Sequence, residues 1–201
     1  MFEIVIASRN KEKKKELKTL LNDLKIKVLD LNDFPAAPKV KEDGKTFDEN
    51  AKKKALAIAK FTKKLTLADD SGLEVKELGQ KPGVRSARFA GEGASYAEIN
   101  QKLLRLLSGI PKSKRQAKFV CVIAIADKNG LVGTTQGKCS GWISFARRGK
   151  SGFGYDPVFV YPRYNKTFAE LGPKIKNKVS HRAKALKKAR TIIQGYLRRL
   201  L

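Results

Sequence analysis

Short apolar stretches alternate with helical periodicities along this chain, and this order limits the folds open to it. Residues 2–7 are almost entirely apolar, as expected for a strand that is covered on both faces. Leucines at helical spacing follow between residues 17 and 24, after a polar break. Strand-like and helix-like stretches then succeed one another to the C-terminus. The sequence therefore predicts a single α/β domain over residues 1–201.

Turn and capping residues set the predicted boundaries of these elements. We expect strands over residues 2–7, 26–31, 65–68, 119–126, 131–144 and 158–161. We expect helices to begin after Asn10, Thr46 and Ser95 and near Ser180. Thr46 with Glu49, and Ser95 with Glu98, match the capping box, in which hydroxyl and carboxylate each accept a backbone N–H at a helix start.

The formal net charge of +25 favours an anionic partner, because such a field attracts nucleotides, nucleic acid and anionic membrane alike. It does not select among them, and a charged surface is also a habit of hyperthermophile proteins. No apolar run is long enough to cross a bilayer, and residues 1–7 lack the basic start of an export signal. We therefore expect a cytoplasmic protein in which Cys121 and Cys139 are buried thiols.

Asp69 and Asp70 follow the apolar stretch at residues 65–68. Two neighbouring carboxylates repel each other, which raises the pKa of one of them. A divalent cation would remove this conflict, because Mg²⁺ prefers hard oxygen ligands. The alternative interpretation is a plain turn, since Ser71 and Gly72 after the pair are common turn residues. The pair alone favours the turn.

Several lysines crowd the predicted start of the first helix. They are Lys11, Lys13, Lys14 and Lys15. Positive charge at a helix N-terminus opposes the helix dipole, and Glu12 and Glu16 offset only part of it. An anion bound at this strand-to-helix turn would offset more, because such turns bind phosphate. A solvated lysine face explains the run equally well.

Several motifs occur together, in a fixed order, along essentially the whole chain. They are Ser8-Arg9-Asn10 with Lys13, Glu42, Thr46-Phe47-Asp48-Glu49-Asn50-Ala51, Asp69-Asp70-Ser71-Gly72, Pro82-Gly83-Val84-Arg85-Ser86-Ala87-Arg88, Gly152 to Pro157, Thr167-Phe168-Ala169-Glu170-Leu171, Lys176, and Ser180-His181-Arg182. In this ordered set the chain resembles the inosine triphosphate pyrophosphatase (Ham1) family of house-cleaning nucleoside triphosphate diphosphatases. The resemblance implies an elongated mixed β-sheet flanked by helices, with two lobes and a central cleft. It also implies a homodimer.

The same resemblance implies an activity and a site. The activity is Mg²⁺-dependent hydrolysis of ITP, dITP or XTP between the α and β phosphates, which yields a nucleoside monophosphate and pyrophosphate. Asp70 matches the general base, and Glu42, Asp69 and Asp70 match the metal ligands. The substrate-binding positions are Ser8, Arg9, Asn10, Lys11, Glu12, Lys13, Ser71, Phe153, Gly154, Tyr155, Asp156, Lys176, His181 and Arg182.

Base recognition is assigned to the glycine-rich segment and to the start of the last helix. Phe153 would stack on the purine, and His181 or Arg182 would donate a hydrogen bond to its O6. A donor there rejects adenine, which presents an amino group at the same position. The alternatives are that Phe153 is a core aromatic residue and that His181 only packs at a helix start.

The chain departs from the family pattern at the first turn. Many members have glycines where this chain has Arg9 and Glu12. Phosphate binding at this turn should therefore rely on Asn10, Lys13 and the helix terminus instead of a glycine-built loop.

Two other functions compete with this hydrolase. A basic nucleic-acid-binding protein would use the charge, but the aromatic residues are few and not interleaved with lysines and arginines. Such a protein would also have no use for the acidic trio Glu42, Asp69 and Asp70. A related nucleotide pyrophosphatase with another base preference is the third possibility.

Overall fold

The structure is a computed structural model in which residues 2–200 are described. The strands are β1 (Phe2–Ile6), β2 (Ile26–Asp30), β3 (Leu65–Val75), β4 (Gln116–Asp127), β5 (Gly130–Ile143), β6 (Phe159–Tyr161) and β7 (Lys166–Thr167). The α-helices are α1 (Lys11–Leu21), α2 (Phe47–Thr62), α3 (Tyr96–Leu106), α4 (Phe168–Val179) and α5 (His181–Arg198). None of the helices among these residues is both long and apolar enough to span a membrane.

The strands form one sheet in the order β2-β1-β3-β4-β5-β6-β7. Strand β1 is parallel to both β2 and β3, whereas β6 is antiparallel to both β5 and β7. Parallel pairs need crossover helices, and α1 and α2 supply them. The predicted mixed α/β fold is therefore confirmed.

The chain divides into two compact units, each with a core of its own. Within the described residues, the first unit comprises residues 2–70, 121–137 and 182–200, and the second comprises residues 71–120 and 138–181. In the first unit, Leu17 of α1 and Leu186 of α5 belong to one buried cluster. In the second unit, Leu103 of α3 shares a cluster with Phe159 and Phe168, whose ring centroids lie 5.0 Å apart. The prediction of a single domain stays a prediction.

Strand β3 does not end at the acidic pair. It runs for 11 residues to Val75, so the predicted strand end at residue 68 and the turn at Ser71 were wrong. Successive side chains of a strand point to opposite faces of the sheet. Asp69 and Asp70 therefore meet different surroundings even though they are neighbours in sequence.

Capping residues explain one missed helix and one altered helix start. No helix was predicted where α4 lies, although Thr167 and Glu170 form a complete capping box at its start, with hydrogen bonds of 3.1 and 2.7 Å. At α2 only half of the predicted box forms. Thr46 Oγ1 accepts the Glu49 N–H, but the Glu49 carboxylate accepts the N–H of Lys45.

Asp30 gives the first unit a pH-dependent contribution to stability. Its buried carboxylate accepts hydrogen bonds from Lys14 Nζ at 3.1 Å, Lys18 Nζ at 2.8 Å and the Asn32 N–H at 2.8 Å. Burial by itself raises the pKa of Asp30, but these donors outweigh it and lower the pKa from 3.8 to about 2. Because the folded-state pKa lies below the unfolded value, the stabilisation is present above pH 4 and is lost as the pH falls toward 2.

We expect Asp30→Asn to lower the free energy of unfolding by roughly 2 kcal/mol at pH 7. The difference from the wild type should disappear as the pH approaches 2. Urea unfolding at several pH values measures both effects. Asp48→Asn is the control, because its pair with Lys52 on α2 is exposed and such pairs contribute little. A loss that does not change with pH would contradict the assignment.

Candidate active site

Asp69 is buried in the first unit and is paired with two cations. Its Oδ2 lies 3.3 Å from Lys13 Nζ of α1, and 3.1 and 3.3 Å from Nη2 and Nε of Arg182 on α5. Arg182 also forms an ion pair with Glu16 of α1. Burial by itself raises the pKa of Asp69, but Lys13 and Arg182 outweigh it and hold that pKa well below its usual range. Asp69 is therefore a fixed anion.

Asp70 is buried too, with 4% of its surface exposed. Its Oδ2 accepts a 3.0 Å hydrogen bond from Asn50 Nδ2, and its Oδ1 lies 3.9 Å from Lys54 Nζ. Burial raises the pKa of Asp70; Lys54 and Lys13 offset part of this rise, and the anionic Glu42 adds to it. The two neighbouring carboxylates thus have pKa values shifted in opposite directions, which is the pattern that separates a proton acceptor from a permanent anion.

Lys54 and Asn50, which sequence analysis did not assign to the site, organise the acidic residues. Lys54 Nζ lies 2.6 Å from Glu42 Oε1 and donates to the backbone carbonyl of Asp69 at 2.7 Å. Asn50 Oδ1 accepts the Gly44 N–H at 2.8 Å and so holds the loop that carries Glu42. The two residues lie four positions apart on α2, and therefore on one helix face. The signal for these two residues in the sequence was a polar pair at helical spacing, next to the alanines that α2 buries.

The carboxylate oxygens at this site suit a hard cation whose other ligands are mostly water and substrate oxygens. Glu42 Oε1 lies 2.6 Å from Lys54 Nζ, and Asp70 Oδ1 lies 3.9 Å from the same atom, so two carboxylates approach one point. Within residues 2–200, no group of three or more His, Cys, Asp or Glu side chains is arranged to hold a metal ion. One or two carboxylates together with water and phosphate oxygens are the usual surroundings of Mg²⁺. The residues present fit such an ion.

The predicted phosphate turn at the start of α1 is built around Asn10. Its Oδ1 accepts the N–H groups of Glu12 and Lys13, both at 3.0 Å, and its own N–H donates to Ser8 Oγ at 3.3 Å. Arg9 Nη2 donates to the Ala37 carbonyl at 3.0 Å. Asn10 is therefore the N-cap of α1, and the contact of this turn with phosphate stays a prediction. Lys11 and Glu12 are exposed.

A cavity of about 260 Å³ lies in the first unit beside Glu42 and Lys54. Its lining is Ala7, Arg9, Leu31, Pro38, Lys39, Val40, Glu42, Lys54 and Ile58. Arg9, Lys39 and Lys54 contribute positive charge, and Glu42 contributes the only negative charge among these lining residues. A cavity with this charge excess favours a small anion.

In the second unit, the glycine-rich segment groups an aromatic ring, a carboxylate and a lysine. Asp156 Oδ2 accepts the Phe153 N–H at 2.9 Å and the Lys176 ammonium at 2.5 Å. Lys176 Nζ lies 4.4 Å from the centroid of the Phe153 ring. Gly152 has φ +79°, and a Cβ there would lie 2.1 Å from Asp156 Oδ2, so only glycine fits. Phe153 is half-buried and lies outside the core cluster of this unit.

The other predicted base-binding residues pack in different ways. The His181 imidazole is buried and stacks on Phe119, with ring centroids 4.5 Å apart and planes 10° from parallel. Tyr155 is buried as well, and its hydroxyl donates to the Ser86 carbonyl at 3.0 Å. Ser71, which the resemblance assigned to the triphosphate and not to the base, is partly buried in β3, and its contact with phosphate also stays a prediction. Hydrogen bonding to a purine by His181 or Tyr155 stays a prediction.

Solved structures with the same fold extend over nearly the whole chain. A HAM1 protein from Coxiella burnetii superposes with a TM-score of 0.88 at 44% identity, covering 97% of this chain and 100% of that chain. The Ham1 protein of Staphylococcus aureus superposes with a TM-score of 0.85 at 39% identity, covering 96% and 99%. These neighbours define a Ham1-type α/β protein.

Sequence comparison leads to the same family. A dITP/XTP pyrophosphatase of Desulforamulus reducens is 53% identical over 192 residues, which cover 96% of both chains. The model of the Ham1 family matches residues 4–192. The chain belongs to the Ham1 family, and the resemblance noted in its motifs is confirmed.

Proposed function

We propose that this protein hydrolyses the triphosphates of deaminated purines, namely ITP, dITP and XTP, to nucleoside monophosphate and pyrophosphate. Similarity to relatives named dITP/XTP pyrophosphatases supports this substrate class. The observation that carries the proposal is the buried pair Asp69 and Asp70, whose pKa values shift in opposite directions. Asp70 in this pair can supply the base that activates water for hydrolysis, while Asp69 stays ionised beside Lys13 and Arg182.

In the proposed reaction, Asp70 takes a proton from the attacking water. The water oxygen forms a bond to the α-phosphorus, the bond from that phosphorus to the bridging oxygen breaks, and pyrophosphate leaves with the bonding electron pair. The Asp70 carboxylate is buried, and burial raises its pKa, which favours acceptance of a proton when no cation is bound beside it. The hydrogen bond from Asn50 orients the carboxylate for this step.

We also propose that the three acidic residues bind Mg²⁺. Glu42 and Asp70 would be ligands of the ion, and Asp69 would help to hold it. Such an ion neutralises charge on phosphate oxygens when it is bound. Lys54, which lies between Glu42 and Asp70, would then contact phosphate in place of the carboxylates. The positively charged cavity beside Glu42 would accept the outer phosphates of the substrate.

The residues proposed to bind the base are Phe153, Asp156 and Lys176. Phe153 would stack on the purine, with Lys176 and Asp156 supplying polar contacts at its edge. We expect Phe153→Ala to raise KM for ITP about tenfold and to change kcat less than threefold, because stacking is mostly uniform binding. Steady-state kinetics measure this split.

Phe145→Ala is the matched control for that change. Phe145 belongs to the same unit, is 64% exposed and contacts the Arg115 guanidinium. Its removal should leave KM unchanged. A lower kcat with an unchanged KM in Phe153→Ala would show that Phe153 is a structural residue.

Pyrophosphate release from ITP, dITP, XTP, dUTP, ATP and GTP, with and without Mg²⁺, tests the proposed function. We expect rapid Mg²⁺-dependent release from the first three nucleotides only. Preference for dUTP would establish a related pyrophosphatase with another base preference. A salt-sensitive shift of DNA without hydrolysis of any triphosphate would overturn the proposal and favour a nucleic-acid-binding protein.

We further propose a homodimer in the cytoplasm, on the strength of the family resemblance. Light scattering of the purified protein tests the first of these, and cell fractionation tests the second. A monomer at micromolar concentration, or recovery outside the cytoplasmic fraction, would contradict them.

A further inference from the structure

A buried asparagine that sequence analysis did not assign holds the segment that carries Phe153. Asn100 lies in α3 and is 1% exposed. Its Nδ2 donates to the Gly154 carbonyl at 2.8 Å and to the Tyr96 carbonyl at 2.6 Å. The first of these bonds joins residues 54 positions apart in the sequence, so the side chain fastens a distant segment to the helix.

The bond to Gly154 fixes the direction of the next backbone N–H. Because a peptide unit is planar, the direction of the Gly154 carbonyl also sets the direction of the Tyr155 N–H. Gly154 has φ +60°, a left-handed conformation. On either side of it, the Phe153 N–H donates to Asp156 Oδ2, and the Asp156 N–H donates to the Phe153 carbonyl. The segment therefore has one orientation held both locally and by α3.

Stability alone does not account for an asparagine at this position. Its neighbours Ile99 and Leu103 belong to the hydrophobic core of the second unit, so the amide lies next to apolar side chains. Within residues 2–200, the buried Asn100 Oδ1 has no hydrogen-bond partner, which carries a desolvation penalty. Asparagine is also a poorer helix former than alanine or leucine. The amide is thus costly for the fold but useful to the glycine-rich segment.

We propose that Asn100 is a positioning residue for recognition of the purine base. By holding the Gly154 carbonyl, it orients the Tyr155 N–H and the Phe153 ring toward the base of the triphosphate. The inference rests on the proposed function. It assigns a role in base selectivity to α3, a helix that carries none of the predicted substrate-binding residues.

The test compares Asn100→Ala with Gln101→Ala. Gln101 is the next residue of the same helix, and its side chain is exposed. For Asn100→Ala we expect KM for ITP to rise about tenfold, as for the loss of one buried hydrogen bond, with kcat changed less than threefold. The ratio of kcat/KM for ITP to that for ATP should fall as well. Hydrogen exchange of residues 152–156 should accelerate, while exchange in α1 stays as in the wild type. Gln101→Ala should match the wild type in every measurement.

Unchanged exchange at residues 152–156 would overturn the inference, and so would equal losses of kcat/KM for ITP and ATP. If Asn100→Ala does not fold, Asn100→Leu, which keeps the volume and removes the donor, takes the same measurements. Failure of the proposed function is a separate result, because it requires that the wild type release no pyrophosphate from ITP, dITP or XTP. Hydrogen exchange then still tests whether Asn100 holds the segment.

Discussion

Asp70→Asn is expected to abolish turnover and leave the fold intact. The amide cannot accept the proton of the attacking water, and loss of a general base lowers kcat by about a thousandfold or more. The fold should tolerate the change, because an amide oxygen can still accept the hydrogen bond from Asn50. The raised pKa of Asp70 also means that its ionised form costs stability, and that this cost grows as the pH rises through that pKa. The variant should therefore unfold at the same urea concentration as the wild type or a higher one at pH 7.

Asp43→Asn is the control for this experiment. Asp43 lies in the same loop as Glu42 but is exposed and pairs with Lys53 at 2.6 Å. Its replacement should leave kcat within twofold of the wild type, as expected of an exposed ion pair. Activity of Asp70→Asn within tenfold of the wild type would remove Asp70 from the role of base. A loss of activity together with a loss of stability would assign Asp70 to the fold.

The sequence identified the acidic pair because two adjacent carboxylates after an apolar strand form a local pattern. It did not identify Lys54 beside this pair or Asn100 beside the glycine-rich segment. Lys54 and Asn100 reach Asp70 and Gly154 across long sequence separations, and such contacts depend on how helices pack. Lysine and asparagine are also common on surfaces, so neither stands out in a lysine-rich chain.

The elements that were predicted correctly are those whose structure is determined by a single local sequence pattern. The helix leucines and the strand-like stretches at residues 119–126 and 131–144 gave correct elements, because burial of apolar side chains on one face acts locally. Strand β3 was cut short because Asp70-Ser71-Gly72 has turn chemistry, whereas ladder pairing and burial keep these residues extended. Tertiary structure outweighed local preference there, at the site where the proposed chemistry needs a buried carboxylate.

Arg182→Met is expected to give the largest loss of stability in the first unit. Arg182 is 1% exposed and is paired with both Asp69 and Glu16. Methionine has a similar length but leaves these carboxylates without the guanidinium, and breaking a buried pair costs about 3–5 kcal/mol. Since domains are stable by only about 5–15 kcal/mol, the variant should unfold at much lower urea concentrations. Lys13 remains beside Asp69, so part of the electrostatic stabilisation should persist.

Arg190→Met measures how much of that loss reflects burial. Arg190 lies on the same helix, two turns further on, and pairs with Asp23, whose side chain is 57% exposed. An exposed pair contributes about 0–1 kcal/mol, so this variant should unfold close to the wild type. Lowering the pH should narrow the gap in unfolding free energy between Arg182→Met and the wild type, because Arg182 helps to hold the pKa of Asp69 below its usual range and this contribution is lost in acid. Equal stability of the two variants at pH 7 would mean that Arg182 serves substrate binding and contributes little to the fold.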